Sequence, residues 1–205
     1  MRKEVSVSPT SAAIPTASSQ RWLKSAGIVL AGSAFVAVCA RVSLPLNFTP
    51  VPLSLQPFAV LVLGLLLAPR LAAATLGVYL LEGAIGLPVF APGPLMAGGL
   101  AHLLGPTGGY LLSYPVAAPL ISALYRRTRR GFAPAFLSAA AGSLVTLTFG
   151  ALWFATLSHA PLQHVLLQTV APFLPGDALK VSAAAAIAAG FVRLRRSRAE
   201  SPSRA

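Results

Sequence analysis

Acidic side chains are almost missing from this sequence. Glu4, Glu82, Asp177 and Glu200 are the four carboxylates among 205 residues, against 16 lysines and arginines. Cysteine is scarcer still. Cys39 stands alone, which excludes a disulfide framework and a cysteine-built metal site. The histidines (His102, His159 and His164) are not spaced as ligands, so no metal is expected. No G-x-x-x-x-G-K-[ST] occurs, and the chain has no phosphate loop of its own. A membrane-embedded enzyme would need a nucleophile with its base or a metal cluster, and these scattered histidines supply neither. No catalytic residue is assigned.

Apolar residues fill the space the charges leave. They make up 56 % of the chain, charged residues only 10 %, and the mean hydropathy is +0.75. Those values mark an integral membrane protein, with the lipid bilayer as its surroundings. The net charge of +12 could point to nucleic acid. Its bases, however, lie in short clusters between apolar runs, as membrane topology signals do, and nucleic acid is not expected as a partner.

Six helices and three irregular stretches are predicted. Residues 1–20 are rich in Ser, Ala, Thr and Pro and read as a disordered tail. Helix one covers Ser25 to Ala40, with small residues four apart at Gly27 and Ala31 and at Ser33 and Ala37 that suit close helix approach. Residues 41–57 hold four prolines and form the first irregular stretch. Helix two runs from Phe58 to Ala68, Pro69 and Arg70 make a tight turn, and helix three runs from Leu71 to Gly86. The Gly- and Pro-dense residues 86–110 follow, then helix four over Gly109–Tyr125, the basic RRTRRG and helix five over Phe132–Leu157. A third irregular stretch, 158–174, leads to helix six, which ends at Val192 before RLRRSR. The expected domains are therefore a tail (1–20), a six-helix membrane domain (21–193) and a basic tail (194–205).

Charge orients this arrangement. With the amino terminus cytoplasmic, 14 of the 16 basic residues fall inside, leaving Arg41 and Lys180 outside. Both termini are then cytoplasmic, the membrane is the plasma membrane, and the irregular loops 1, 3 and 5 lie outside over a substrate pocket. Irregular backbone at membrane depth is tolerated only where protein buries it or it lines a cavity.

PGDALK (175–180) is where chemistry concentrates. Between Phe132 and Val192, Asp177 and Lys180 are the only formally charged side chains. Three apart on a helix opening at Pro175 or Gly176, they share a face. One reading is an intrahelical ion pair that neutralises itself at a membrane edge. The other is a binding site, because ionisable groups in apolar segments are costly and mark substrate paths.

Several stretches resemble the BioY family, the biotin-specific substrate-binding (S) components of energy-coupling factor transporters. They are TPVPLSLQPFAVLVLGLLLAPR (49–70), YLLEGAIGLPVFA (79–91), LLGPTGGYLLSYP (103–115) and APFLPGDALK (171–180). The resemblance implies an all-α, six-helix membrane protein that captures biotin from outside for uptake. It implies as partners a transmembrane coupling subunit, docking on helix one, and ATPase subunits that alone use ATP. No cofactor of the chain itself follows. By the same resemblance Asp177 and Lys180 contact biotin, and Gln56, Phe90, Gly108 and Tyr110 join them as candidate contacts. A carboxylate can accept from a ureido N–H, while an ammonium can donate to the ureido oxygen or pair with the valerate carboxylate. Both roles remain open for Lys180. The glycines of GPTGGY would permit a tight turn and close approach of loop to ligand. Tyr110 is either a pocket wall or an interfacial anchor. The chain departs from the family at APGPLMAGG (91–99), which carries no charge, and at Glu82. That carboxylate has Arg41, Lys180 or the outer interface as candidate neighbours and is not counted in the site. The competing reading is a self-sufficient secondary transporter for a small carboxylate, with Glu82 and Asp177 carrying protons.

Overall fold

The computed structural model describes residues 17–92 and 98–200. Most of the predicted amino-terminal tail, the middle of APGPLMAGG and the last five residues lie outside the described residues. The chain is mostly helical. Among the described residues there are eight helices: α1 (Ala17–Arg41), α2 (Gln56–Leu66), α3 (Pro69–Ala84), α4 (Leu100–Leu103), α5 (Gly108–Arg126), α6 (Phe132–Ser158), α7 (Leu162–Thr169) and α8 (Leu174–Glu200). A two-residue antiparallel ladder, β1 (Ser43–Leu44) with β2 (Leu53–Ser54), folds the first irregular stretch into a hairpin.

Helix α2 is the pillar of the fold. It packs against α1, α3, α5, α6 and α8, and eight of its eleven residues are buried. A helix surrounded on all sides must be apolar all round, and VLVLGLL is. The other long helices follow one another around it, α1 on α3, α3 on α5, α5 on α6 and α6 on α8.

Helix α6 shows how the sequence suits this surrounding. Ala135, Ser138, Ala139, Gly142, Ser143, Thr146 and Gly150 are buried, while Leu137, Leu144 and Leu152 are exposed. Small and polar residues face inward and large apolar ones outward, the reverse of a water-soluble helix. Helix α6 and the Gln20–Arg41 part of α1 are each long and apolar enough to cross a membrane.

Glycine sets the closest approach of α5 to α6. A Cβ at Gly109 would overlap the Phe149 carbonyl oxygen and the Trp153 Cβ. One at Gly150 would enter the Tyr110 ring, and one at Gly142 the Ile121 side chain. Of the GPTGGY glycines, Gly109 brings α5 against α6, while Gly108 meets the Leu103 carbonyl. Trp153 Nε1 donates to the Gly105 carbonyl at 2.9 Å, holding the same turn on α6.

Element boundaries differ from the sequence expectation for local reasons. Helix α1 starts at Ala17, inside the stretch read as a tail, and α8 continues past Val192 to Glu200. A basic run ends the apolar segment without ending the helix, since arginine is a good helix former. Pro69 and Arg70 open α3 instead of forming a separate turn, Pro being suited to a first helical turn. Short helices α4 and α7 occupy parts of the second and third irregular stretches. Helix α8 starts at Leu174, so Asp177 lies within its first turn, its N–H donating to the Phe173 carbonyl at 2.8 Å.

Candidate functional site

One cavity opens where the three irregular stretches meet the helix ends. Its volume is about 60 Å³, below the ~300–1,000 Å³ of typical small-molecule sites. Val51, Pro52 and Ser54 come from the first stretch, Ala91, His102 and Thr107 from the second, and Phe173 from the third. Helix α2 gives Gln56, Pro57, Val60 and Leu61, and α5 gives Tyr110, Leu111 and Tyr114. Helix α6 adds Ser143, Thr146 and Leu147, while α8 adds Asp177 and Lys180.

The roof is tied down by side chains reaching the third stretch. Thr49 Oγ1 donates to the Gln168 carbonyl at 2.9 Å, and Tyr110 Oη donates to the Thr169 carbonyl at 2.5 Å. Tyr110 is buried, with its ring 6.3 Å from that of Phe173, and so is a wall of the cavity and not an interfacial anchor.

Four sequence candidates therefore converge: Gln56, Tyr110, Asp177 and Lys180. The carboxylate of Asp177 accepts from Ser143 Oγ on α6. Among the described residues no ion-pair contact joins it to Lys180, although the two charges, one turn apart on α8, act on one another. Gln56 is 3 % exposed and its Nε2 has no hydrogen-bond partner. A buried donor left unmade costs ~1–3 kcal/mol, unless something that enters the cavity accepts from it.

Two sequence candidates stand elsewhere. Phe90 is packed edge-on to Tyr79 at 5.5 Å and beside His102 at 4.9 Å, with Gly83 under its ring, and is not part of the cavity wall. Gly108 opens α5, where a Cβ would overlap the Leu103 carbonyl oxygen. Both residues shape the fold that holds the wall. Glu82 is also outside the wall. It accepts from Ser33 Oγ across the α1–α3 contact, while Arg41 donates to the Pro88 carbonyl.

Sequence reasoning missed Ser143, Thr146, His102 and Tyr114. Ser143 and Thr146, three apart on the face opposite Leu137 and Leu144, were a findable signal: polar side chains on the inward stripe of an apolar helix. His102 was weighed only as a metal ligand. No cluster of three or more His, Cys, Asp or Glu occurs among the described residues.

The BioY family model matches residues 9–197. The chain belongs to the BioY family. It is 36 % identical to a probable biotin transporter BioY of Pyrococcus horikoshii over 165 residues, 80 % of this chain and 94 % of that one. It is 33 % identical to the biotin transporter BioY of Thermotoga maritima over 174 residues, 85 % and 97 % of the two chains. Its fold is similar to the crystal structure of the S-component for biotin from an ECF-type ABC transporter. The TM-score is 0.77 with 28 % identity, covering 89 % of this chain and 95 % of that one. The BioY assignment and the outward-facing apolar surfaces of α1 and α6 agree on a membrane location.

Proposed function

We propose that the protein captures biotin at the outer side of the cytoplasmic membrane and serves its uptake as the substrate-binding subunit of an energy-coupling factor transporter. The observation that carries this reading is a cavity joining a carboxylate, an ammonium and a buried amide donor without a partner. A ureido group needs such a set. Its two N–H groups require acceptors, met by Asp177, and its carbonyl requires donors, met by Lys180 and Gln56 Nε2. Val60, Leu61, Leu111 and Leu147 offer apolar wall to the rest of a sulfur heterocycle.

The wider arrangement follows from that role. Helices α1, α2, α3, α5, α6 and α8 are the six membrane crossings of a domain spanning 21–193, with both tails cytoplasmic. Helix α2 is about 16 Å long, roughly half of a bilayer core of about 30 Å. The β1–β2 hairpin supplies the remaining depth, as irregular backbone that borders a cavity. The chain needs no cofactor, and ATP is used only by partner ATPase subunits joined through a transmembrane coupling subunit. Cysteine labelling in a Cys39→Ala background should reach positions beside Arg127 only from the cytoplasm and beside Pro92 only from outside. The opposite pattern would remove the external pocket.

The secondary-transporter reading has less support. It needs Glu82 and Asp177 on one path, yet Glu82 is bonded to Ser33 between α1 and α3 and does not border the cavity. Titration calorimetry of the detergent-purified protein tests the main reading. Biotin should bind saturably without any partner subunit. Asp177→Asn should weaken it about ten- to 150-fold, the loss of a charge-assisted hydrogen bond. A folded protein that takes up no biotin would end the proposal.

A further inference from the structure

We propose that the arginine-rich end of the bundle, where α5, α6 and α8 meet, is a binding surface for the headgroups of anionic phospholipids. The inference does not depend on what occupies the cavity and needs only the membrane location. Two basic clusters far apart in sequence, RRTRR (126–130) and RLRRSR (193–198), are brought together by packing. Tyr125 at the close of α5, Ala135 near the start of α6 and Ala188 on α8 belong to one buried cluster. Arg126 follows Tyr125 directly, and Arg193 lies five residues past Ala188, about 7.5 Å along the helix. Arg70, in the first turn of α3, stands at the same end, because Ser122 Oγ on α5 donates to the Leu67 carbonyl at 2.6 Å. Arg126, Arg127, Arg129, Arg130, Arg193 and Arg195 are all exposed. Among the described side chains the carboxylates are Glu82 and Asp177, which lie towards the opposite ends of α3 and α8. Nothing anionic in the described residues neutralises this surface.

Two of these arginines are held back against the bundle. The Arg195 guanidinium sits over the Phe191 ring, 4.5 Å from its centroid. Arg126 Nε donates to Ser122 Oγ at 3.2 Å. Each side chain reaches one turn back along its own helix, so its charge stays at the edge of the apolar surface and does not extend into water. Stacking on a ring face leaves the in-plane N–H donors of Arg195 available to grip a phosphate in bidentate fashion. The neighbouring surface is apolar and exposed. Ile187, Phe191 and Leu194 form a stripe at helical spacing on α8, and Phe132 is exposed at the start of α6. Leu137 and Leu144 continue the exposed apolar surface along α6. An acidic protein surface would meet the cations but leave that stripe without an apolar partner. A phospholipid with a net negative headgroup supplies both parts, a phosphate level with the arginines and acyl chains along the stripe.

The test titrates the detergent-purified full chain with phosphatidylglycerol or with phosphatidylcholine and counts bound lipid by native mass spectrometry. An arginine beside an anionic lipid contributes about fivefold in affinity. The unmodified protein should therefore prefer phosphatidylglycerol by at least about tenfold. Arg126→Gln combined with Arg195→Gln should lose most of that preference while keeping the melting temperature measured in detergent alone. Phe191→Leu keeps every charge but releases Arg195, and should lose about twofold or more. Equal binding of the two lipids by the unmodified protein overturns the proposal, and that result needs no variant to fold. Full preference in the folded double variant overturns it as well. If that variant also fails to co-purify with coupling or ATPase subunits, the arginines belong to a protein interface instead. Displacement of phosphatidylglycerol by inorganic phosphate at constant ionic strength would make this a free-phosphate site and likewise refute a lipid surface. An unchanged preference in Phe191→Leu would overturn the held position of Arg195.

Discussion

Along α6, Gly142 and Gly150 meet α5, while Ser143 and Thr146 on the neighbouring stripe turn towards the cavity. The α5–α6 seam is settled mainly by shape: the Tyr110 ring lies over Gly150, Ile121 over Gly142, and Trp153 with the Phe149 carbonyl over Gly109. The cavity wall is the opposite case. Polar groups from α2, α4, α6 and α8 converge on a space that no side chain fills, and one buried amide donor is left over. The seam has spent its freedom on contact, and the wall keeps one buried donor, Gln56 Nε2, without a partner. Substitutions should therefore harm stability at the seam and affinity at the wall.

The sharpest way to break that contrast is at Gly109. Ala there places a Cβ against a backbone carbonyl, which cannot move as a side-chain tip can, and should cost about 1–3 kcal/mol or more. Gly77→Ala is the matched control. Nothing lies within 4 Å of its added Cβ, so the helix-propensity gain of up to about 1 kcal/mol should survive. Melting temperatures in one detergent should fall for Gly109→Ala and hold or rise for Gly77→Ala. Equal changes at the two glycines would mean that the seam is looser than its geometry.

Gln56→Leu probes the wall and should have a mainly functional effect. It removes a buried donor without a partner, so the ligand-free protein should be as stable as before or more so. Biotin affinity should fall about tenfold if that donor serves the ureido oxygen. Thermal shift with and without biotin reads both at once. A large drop in the ligand-free melting temperature with unchanged affinity would make Gln56 a packing residue.

The same contrast explains what could be read from the sequence. Positions of the six long helices were legible because apolar runs are bounded by basic clusters and Pro/Gly stretches, which act locally. Asp177 and Lys180 were legible because charge in an apolar run is conspicuous. The partners were not. Nothing local in AGSLVTLTFG says that Ser143 will donate to a carboxylate on α8, since that depends on how α6 and α8 pack. Family-motif residues do not all line the cavity. Phe90 and Gly108 belong to segments that carry the resemblance, but a motif preserves a fold as well as a site, and these two hold α3, α4 and α5 in register. Glu82 accepts from the neutral Ser33 of α1, a partner that depends on how α1 and α3 pack and that nothing local in the sequence points to.

The smallest effect on the isolated protein belongs to the outer face of α1, which is neither seam nor wall. The sequence offered Gly27, Ala31, Ser33 and Ala37 as one set of small residues, but they divide. Ser33 is buried at the α1–α3 contact and Ala37 packs on the core, whereas Gly27 and Ala31 are exposed, and nothing lies within 4 Å of a Cβ built at Gly27. Ala31→Trp should consequently leave the melting temperature and biotin affinity of the purified protein within the scatter of surface changes, about 0.5 kcal/mol. Ala37→Trp, forced into a packed core, should lower the melting temperature. If α1 is the face that meets a transmembrane coupling subunit, Ala31→Trp should nonetheless block co-purification with that subunit and ATP-dependent uptake, because small residues permit the close helix contact that a bilayer favours. Assembly that survives Ala31→Trp would move the docking face off α1. Loss of biotin binding in the same variant would mean that α1 takes part in holding the cavity together, which the burial of its residues does not foretell.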